Sequence, residues 1–139
     1  NAKMLPAIFG YIIKNCSINI IEHTRAVTRC CLKIADVMLE EYKEKISLNR
    51  DYLLSGALLH DVGKLFEYKK EKGGFVKSEE GKLLRHPISG AVFAGKFDIP
   101  HEILHIIATH SKEGDGLRIT VESVIVNHAD FVNFEALST

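Results

Sequence analysis

The chain of 139 residues contains no long hydrophobic run. Its longest, LPAIFGYII from Leu5 to Ile13, falls far short of the roughly 20 apolar residues that a membrane-spanning helix needs, and no signal-peptide layout precedes it. A soluble protein with no membrane partner is expected. Cysteine is scarce. Cys16, Cys30 and Cys31 are odd in number and two are adjacent, which argues against a disulfide scaffold and for a reducing compartment, the cytoplasm by default. An excess of either charge is also lacking. The 18 basic and 18 acidic residues balance to a net charge of +0, so no global field draws nucleic acid or an anionic surface, and an anionic substrate has to be captured locally. Aromatics make up 8% of the chain and are scattered. That leaves no base-stacking platform interleaved with basic residues, and nucleic-acid contact is expected only weakly, through domains outside this chain.

Prolines number only three, and no repeat or low-complexity tract appears. The length fits a single domain over residues 1–139, large enough to bury roughly two-thirds of its unfolded surface and hold a site inside a core. The start on Asn1 rather than methionine leads us to expect a piece of a longer chain. Apolar spacings of three and four residues recur and predict helices at about Leu5 to Lys14, Asn19 to Lys45, Arg50 to Val62, Pro87 to Phe97, Pro100 to Ser111 and Thr120 to Ala136. The fold class is all-α. Ser47 or Asn49 can cap the third of these helices, Pro87 and Pro100 suit first turns, and Gly63 suits a helix end. The departure is EYKKEKGGFVKSEEGK, Glu67 to Lys82, which reads as a polar loop or short hairpin and, because it leaves directly from HDVGK, as a flap beside a site.

What the sequence does have is a set of polar residues on apolar faces. In LLSGALLHDVGKLFEY, Leu53 to Tyr68, an apolar helical run breaks off at His60 and Asp61. The spacing places Leu54, Ala57, Leu58 and Asp61 on the inward stripe with His60 beside them, so a carboxylate stands where an apolar residue would be expected. Burying it demands neutralisation, pairing or a metal. His23 shares a stripe with Val27, Cys30, Ile34 and Met38. His110 lies on the side of Ile103, Ile106 and Ile107, whereas His101 and His105 occupy the opposite face with Glu102 and Thr109 and read as solvated. Val124, Asn127 and Phe131 define one side of the last helix, with Asp130 beside them and His128 pointing elsewhere. His86 opens a helix in which Gly90 permits close approach of a backbone or ligand. Together His23, His60, Asp61, His86, His110 and Asp130 supply four imidazoles and two carboxylates from five places. The mixture suits transition metals such as Fe, Mn, Zn, Co or Ni better than calcium, and six ligands suit two ions sharing a carboxylate better than one.

The ordered set resembles the HD-domain superfamily of metal-dependent phosphohydrolases. The likeness is carried by EHTRAV, LLSGALLHDVGK, GKLLRHPISGA, ATHSKEG and VNHADFV, and HDVGK is its most telling segment. It implies a compact helical bundle in which one divalent ion is held by His23, His60, Asp61 and Asp130. A second would share Asp61 and add His86 and His110. The resemblance further implies hydrolysis of a phosphomonoester or phosphodiester, the substrate being a small phosphorylated compound of nucleotide or oligonucleotide type, by water activated between the ions. Asp61 is then the bridging catalytic residue. Lys64, one turn beyond, is a catalytic and substrate-binding cation, and Lys112 and Arg118 extend the anion pocket. Arg85 is a weaker candidate for that pocket. The chain departs from the cyclic-di-GMP-hydrolysing branch, since no paired histidine or GYP follows His110. Two alternatives stay open: an HD-fold di-iron oxygenase, and a non-catalytic nucleotide-binding or RNA-processing module.

Overall fold

The structure is a computed structural model that describes residues 18–138; the helix expected at Leu5 to Lys14 and Cys16 lie outside the described residues. The helices are α1 (Ile20–Tyr42), α2 (Arg50–Leu59), α3 (Lys64–Glu67), α4 (Glu79–Leu83), α5 (His86–Ala94), α6 (His101–Thr109) and α7 (Val121–Ala136), with a hairpin of β1 (Tyr68–Glu71) and β2 (Gly74–Lys77) between α3 and α4. The fold is the expected all-α bundle. No described helix is long and apolar enough to cross a membrane.

Local chemistry sets the helix starts. The Asn19 side chain accepts the N–H groups of Ile21 and Glu22, and the Glu22 carboxylate accepts the N–H of Asn19 at 3.0 Å, a reciprocal box that satisfies donors otherwise orphaned in a first turn. Asn49, rather than Ser47, caps α2 through Asp51 and Tyr52. Thr120 and Ser123 form the matching box on α7. Buried Glu122 accepts the N–H of Asn49 and so ties the start of α7 to the start of α2.

Packing follows from which faces are small and apolar. Helix α1 lies against α2 and α7, α2 also against α6, and α5 against α6. Val27, Cys31 and Ala35 of α1 meet Leu53 and Ala57 of α2, Ile106 of α6, and Ile125, Val126 and Ala129 of α7 in the main core. Gly56 turns its bare backbone to Ile106, where a Cβ would overlap that side chain. Burial pushes the Cys31 thiol up to about 12, so this cysteine is an inert core residue.

Three expectations need correction. Leu54 and Leu58 are 37% and 52% exposed, and the inward face of α2 is carried by Leu53, Gly56 and Ala57. Likewise Val124 is exposed, and α7 buries Ser123, Ile125, Val126, Asn127 and Ala129. Helix α2 stops at Leu59 rather than Val62, and His60 to Gly63 form a tight turn in which the Asp61 carbonyl accepts the Lys64 N–H.

The polar stretch from Glu67 to Lys82 resolves into the hairpin followed by α4. Tyr68 pairs with Lys77 and Glu71 with Gly74, leaving Lys72 and Gly73 as the turn, with Gly73 at φ 97°, where a residue without Cβ fits best. The turn after α2 is instead shaped by proximity. Gly63 has ordinary helical φ, but a Cβ on it would overlap the His86 carbonyl oxygen, and a Cβ on Gly90 would come within 3.1 Å of the Gly63 nitrogen. Two glycines thus let the HD turn press onto α5. Gly63→Ala is expected to destabilise the protein by about 3 kcal/mol or more, since backbone rather than a side-chain tip must move, whereas Gly95→Ala, which meets nothing nearer than Leu104 at 3.8 Å, should shift stability by less than about 0.5 kcal/mol. Urea unfolding of the two variants checks this, and equal losses would contradict it.

Candidate metal centre

The chain reversal at His60 and the pressing of that turn onto α5 bring five segments to one point. His60 and Asp61 leave the end of α2, His23 comes from α1, His86 from the first residue of α5, His110 from just past α6, and Asp130 from α7. His23, His60, Asp61, His86 and His110 are all buried, with His60 and His110 at 0% exposure.

Asp61 organises the group. Its Oδ2 lies 3.5 Å from Nε2 of His23 and 3.5 Å from Nε2 of His60. Its Oδ1 lies 3.5 Å from Nε2 of both His86 and His110. One carboxylate therefore faces a pair of imidazoles on each oxygen, and the donors fall into two triads, His23–His60–Asp61 and Asp61–His86–His110, each able to hold a metal ion. Asp130 joins the first triad, with Oδ1 at 2.9 Å from His23 Nε2 and 3.8 Å from His60 Nε2.

The imidazoles are set to present Nε2. The Nδ1–H of His60 donates to the Ala57 carbonyl at 2.7 Å, and that of His110 donates to the Ile107 carbonyl at 2.8 Å; a carbonyl only accepts, so the proton sits on Nδ1 and the lone pair on Nε2. His86 Nδ1–H donates to the Glu67 carboxylate at 2.6 Å. The outcome is a knot of buried polar atoms without hydrogen-bond partners: Nδ1 of His23, Nε2 of His60 and His110, and Oδ1 of Asp61. Orphaned buried acceptors are costly, and so many at one point, on residues of these types, fit a divalent metal ion.

The electrostatics agree. Burial alone would raise the Asp61 carboxyl, but Lys64, whose Nζ donates to Oδ2 at 2.7 Å, and the surrounding histidines hold it well below the usual carboxylate range. Asp130 is lowered in the same way, burial being overcome by the contact with His23. Burial pushes His60 down to about 4 and lowers His86, so both stay neutral and ready to ligate at neutral pH. At His110 the effect of burial is outweighed by the negative charge of Asp61, whose Oδ1 lies 3.5 Å away, and the net direction is up.

The cations expected to bind substrate are placed less uniformly. Lys64 is at the centre, on Asp61. Lys112 is exposed in a 3-10 turn after α6. Arg118 spends its guanidinium on the carbonyls of Thr109 and Ser111 and on Asp115, bracing the loop that follows His110. Arg85 pairs with Glu113 at the surface. His105 accepts the Ile119 N–H and His101 is exposed, both apart from the cluster, whereas Thr109, expected on their outer face, is buried and donates to the His105 carbonyl.

Two residues of the centre escape a sequence reading. Glu67 is 1% exposed and accepts both the backbone N–H and the ring N–H of His86, which, against the opposing effect of burial, bring its carboxyl down to about 2. Asn127 donates to the His110 carbonyl at 2.7 Å. Glu67 sits in a polar segment with no apolar period to mark it as buried; its one signal is that it follows HDVGK by a single turn.

Beside the centre, a cleft of about 390 Å³ runs between α1 and the turn after α2 and reaches Asp61. Ile20, Leu58, Val62 and Leu65 line it together with Arg25 and Arg29.

A helical bundle with a buried His/Asp cluster able to bind divalent metal defines the class of protein. The HD-domain family model matches residues 20–133, and the chain belongs to that family. It is also similar to the dihydroneopterin 2′,3′-cyclic phosphate phosphodiesterase of Methanocaldococcus jannaschii, with 37% identity over 112 residues, which are 80% of this chain and 44% of that protein. The chain thus spans less than half the length of that relative. No solved structure matches the chain at a significant level.

The titration of His60 yields a prediction for metal-stripped protein. Unfolded, its imidazole titrates near 6.5 and folded near 4, so between these values the unfolded chain binds more protons and stability falls as pH drops through that window, by about 3 kcal/mol in full. The stability difference between wild type and His60→Gln should therefore shrink from pH 7 to pH 4, as read from urea midpoints. A difference that does not vary with pH would contradict the assignment.

Proposed function

We propose that this chain is a metal-dependent phosphohydrolase that cleaves a phosphodiester in a small phosphorylated compound, with two divalent transition-metal ions at the Asp61 centre. The observation that carries the reading is the division of the donors into two triads that share Asp61. One carboxylate with an imidazole pair on each oxygen is the donor arrangement that two adjacent ions require. When bound, two such ions would supply an activated water and stabilise charge on the phosphate oxygens.

The residues of the chain take the remaining parts. His23, His60 and Asp130 would hold one ion, His86 and His110 the other, and Asp61 would contribute to both. Lys64 carries the positive charge closest to the bridging carboxylate and is 13% exposed, so it can meet a phosphate oxygen while its stem stays packed. The cleft adjoining Asp61 offers apolar walls for an organic group, and Arg25 and Arg29 offer donors for its polar edge. The relative named for a pterin-linked 2′,3′-cyclic phosphate supports a diester over a monoester and a cyclic diester of nucleotide or related heterocyclic type as the first substrate to try.

The test is an assay of a panel of 2′,3′-cyclic mononucleotides with protein purified under nitrogen and loaded with Mn²⁺, the product followed by ³¹P NMR. Ring opening to a monoester without oxygen is expected; obligatory O₂ uptake would instead identify an oxygenase, and a loaded protein inert to every phosphate ester would favour a binding module. Asp61→Ala should lose bound metal and activity together. Lys64→Ala should retain metal while kcat falls about 100-fold, and unchanged turnover would remove Lys64 from the mechanism.

A further inference from the structure

Of the imidazoles whose Nδ1 is engaged, His60 and His110 are oriented by carbonyls one turn earlier, at Ala57 and Ile107. His86 is the first residue of α5 and has no preceding turn of its own helix to offer such a carbonyl. Its orientation comes from Glu67 instead. One carboxylate oxygen, Oε2, accepts the backbone N–H of His86 at 2.8 Å and its ring N–H at 2.6 Å, fixing both where α5 begins and how the ring is turned.

Glu67 is itself held by the hairpin and α4. Lys77 of β2 places Nζ 3.3 Å from Oε1. The Ser78 N–H donates to the Glu67 carbonyl at 2.9 Å, and Gly81 packs so closely on that carbonyl that a Cβ would overlap it. We infer that Glu67 is the positioning residue of the Asp61–His86–His110 triad, holding His86 with its proton on Nδ1 and Nε2 aimed at the ion, and that the hairpin with α4 serves as the clamp that keeps Glu67 in place.

The inference deepens the two-ion reading and rests on it. A carboxylate acceptor makes a shorter, stronger hydrogen bond than a neutral carbonyl and raises the basicity of the opposite ring nitrogen, so this triad is tuned from outside its own helix. Among the described residues, the Nδ1 of His60 meets only a main-chain carbonyl. The two ions should therefore respond differently to a change at residue 67, which a mere loss of fold stability would not produce.

Metal-stripped protein titrated with Co²⁺, followed by its visible absorption bands, reads the two equivalents separately. Glu67→Gln, which keeps the shape but removes the charge, should weaken the second equivalent by about 10- to 100-fold and leave the first unchanged. Both equivalents unchanged, or both weakened alike, overturn the positioning role. Uptake of fewer than two equivalents by the wild type overturns the two-ion reading, and this inference with it. A second measurement needs no variant: ring ¹⁵N shifts of the Zn²⁺-loaded wild type should show His86 ligated through Nε2 with the Nδ1 proton retained. Ligation through Nδ1 would overturn the proposal even if Glu67→Gln failed to fold.

Discussion

The buried carboxylate of Asp61 is the constraint around which the rest is arranged. Charge of this kind is tolerated in an interior only where it is compensated, and here an imidazole pair faces each oxygen while Lys64 donates to one of them. To deliver it, α2 has to stop at Leu59 and the chain has to turn within a few residues. That turn fits against α5 only because Gly63 and Gly90 carry no side chains. The main core behind it, from Leu53 and Ala57 through Ile106 to Val126, forms the supporting wall. Fold and centre are thus one construction, because the elements that pack are the elements that bring the His and Asp side chains together.

Much of this was legible in the sequence. The five longer described helices follow the three-and-four spacing, while the short α3 and α4 were not foreseen, and each histidine predicted to face inward does so. The phase of the stripes was less legible. On α2 the leucines at 54 and 58 looked like the core face, yet the bundle chose the side of Leu53, Gly56 and Ala57, because close approach to Ile106 rewards a small residue that a hydrophobic period does not count. Helix α7 shows a similar shift around Val124. Periodicity finds a helix more readily than it finds which small residues let a neighbour come near.

Charged residues were harder still. The sequence singled out Lys64 by its place in HDVGK, and it lies on Asp61, but of the cations named after it Lys112 is in solvent, Arg85 pairs with Glu113 and Arg118 braces a loop. Glu67 shows the converse case: at the head of a stretch rich in lysine and glutamate, it is almost fully buried because the hairpin folds back and α4 closes over it. Contacts between segments decide the role of such residues, and those contacts leave no local pattern. Membership of the HD-domain family ties the order of these His and Asp residues to a common scaffold, and a cleft with apolar walls and two arginines adjoins Asp61.

The most direct test of the Asp61 centre is anomalous diffraction from crystals of metal-loaded protein, recorded on either side of the absorption edge of the bound metal. Two peaks are expected, about 3.5 to 4 Å apart, one against each oxygen of Asp61, with His23 and His60 on one and His86 and His110 on the other. A single peak, or peaks remote from Asp61, would contradict it.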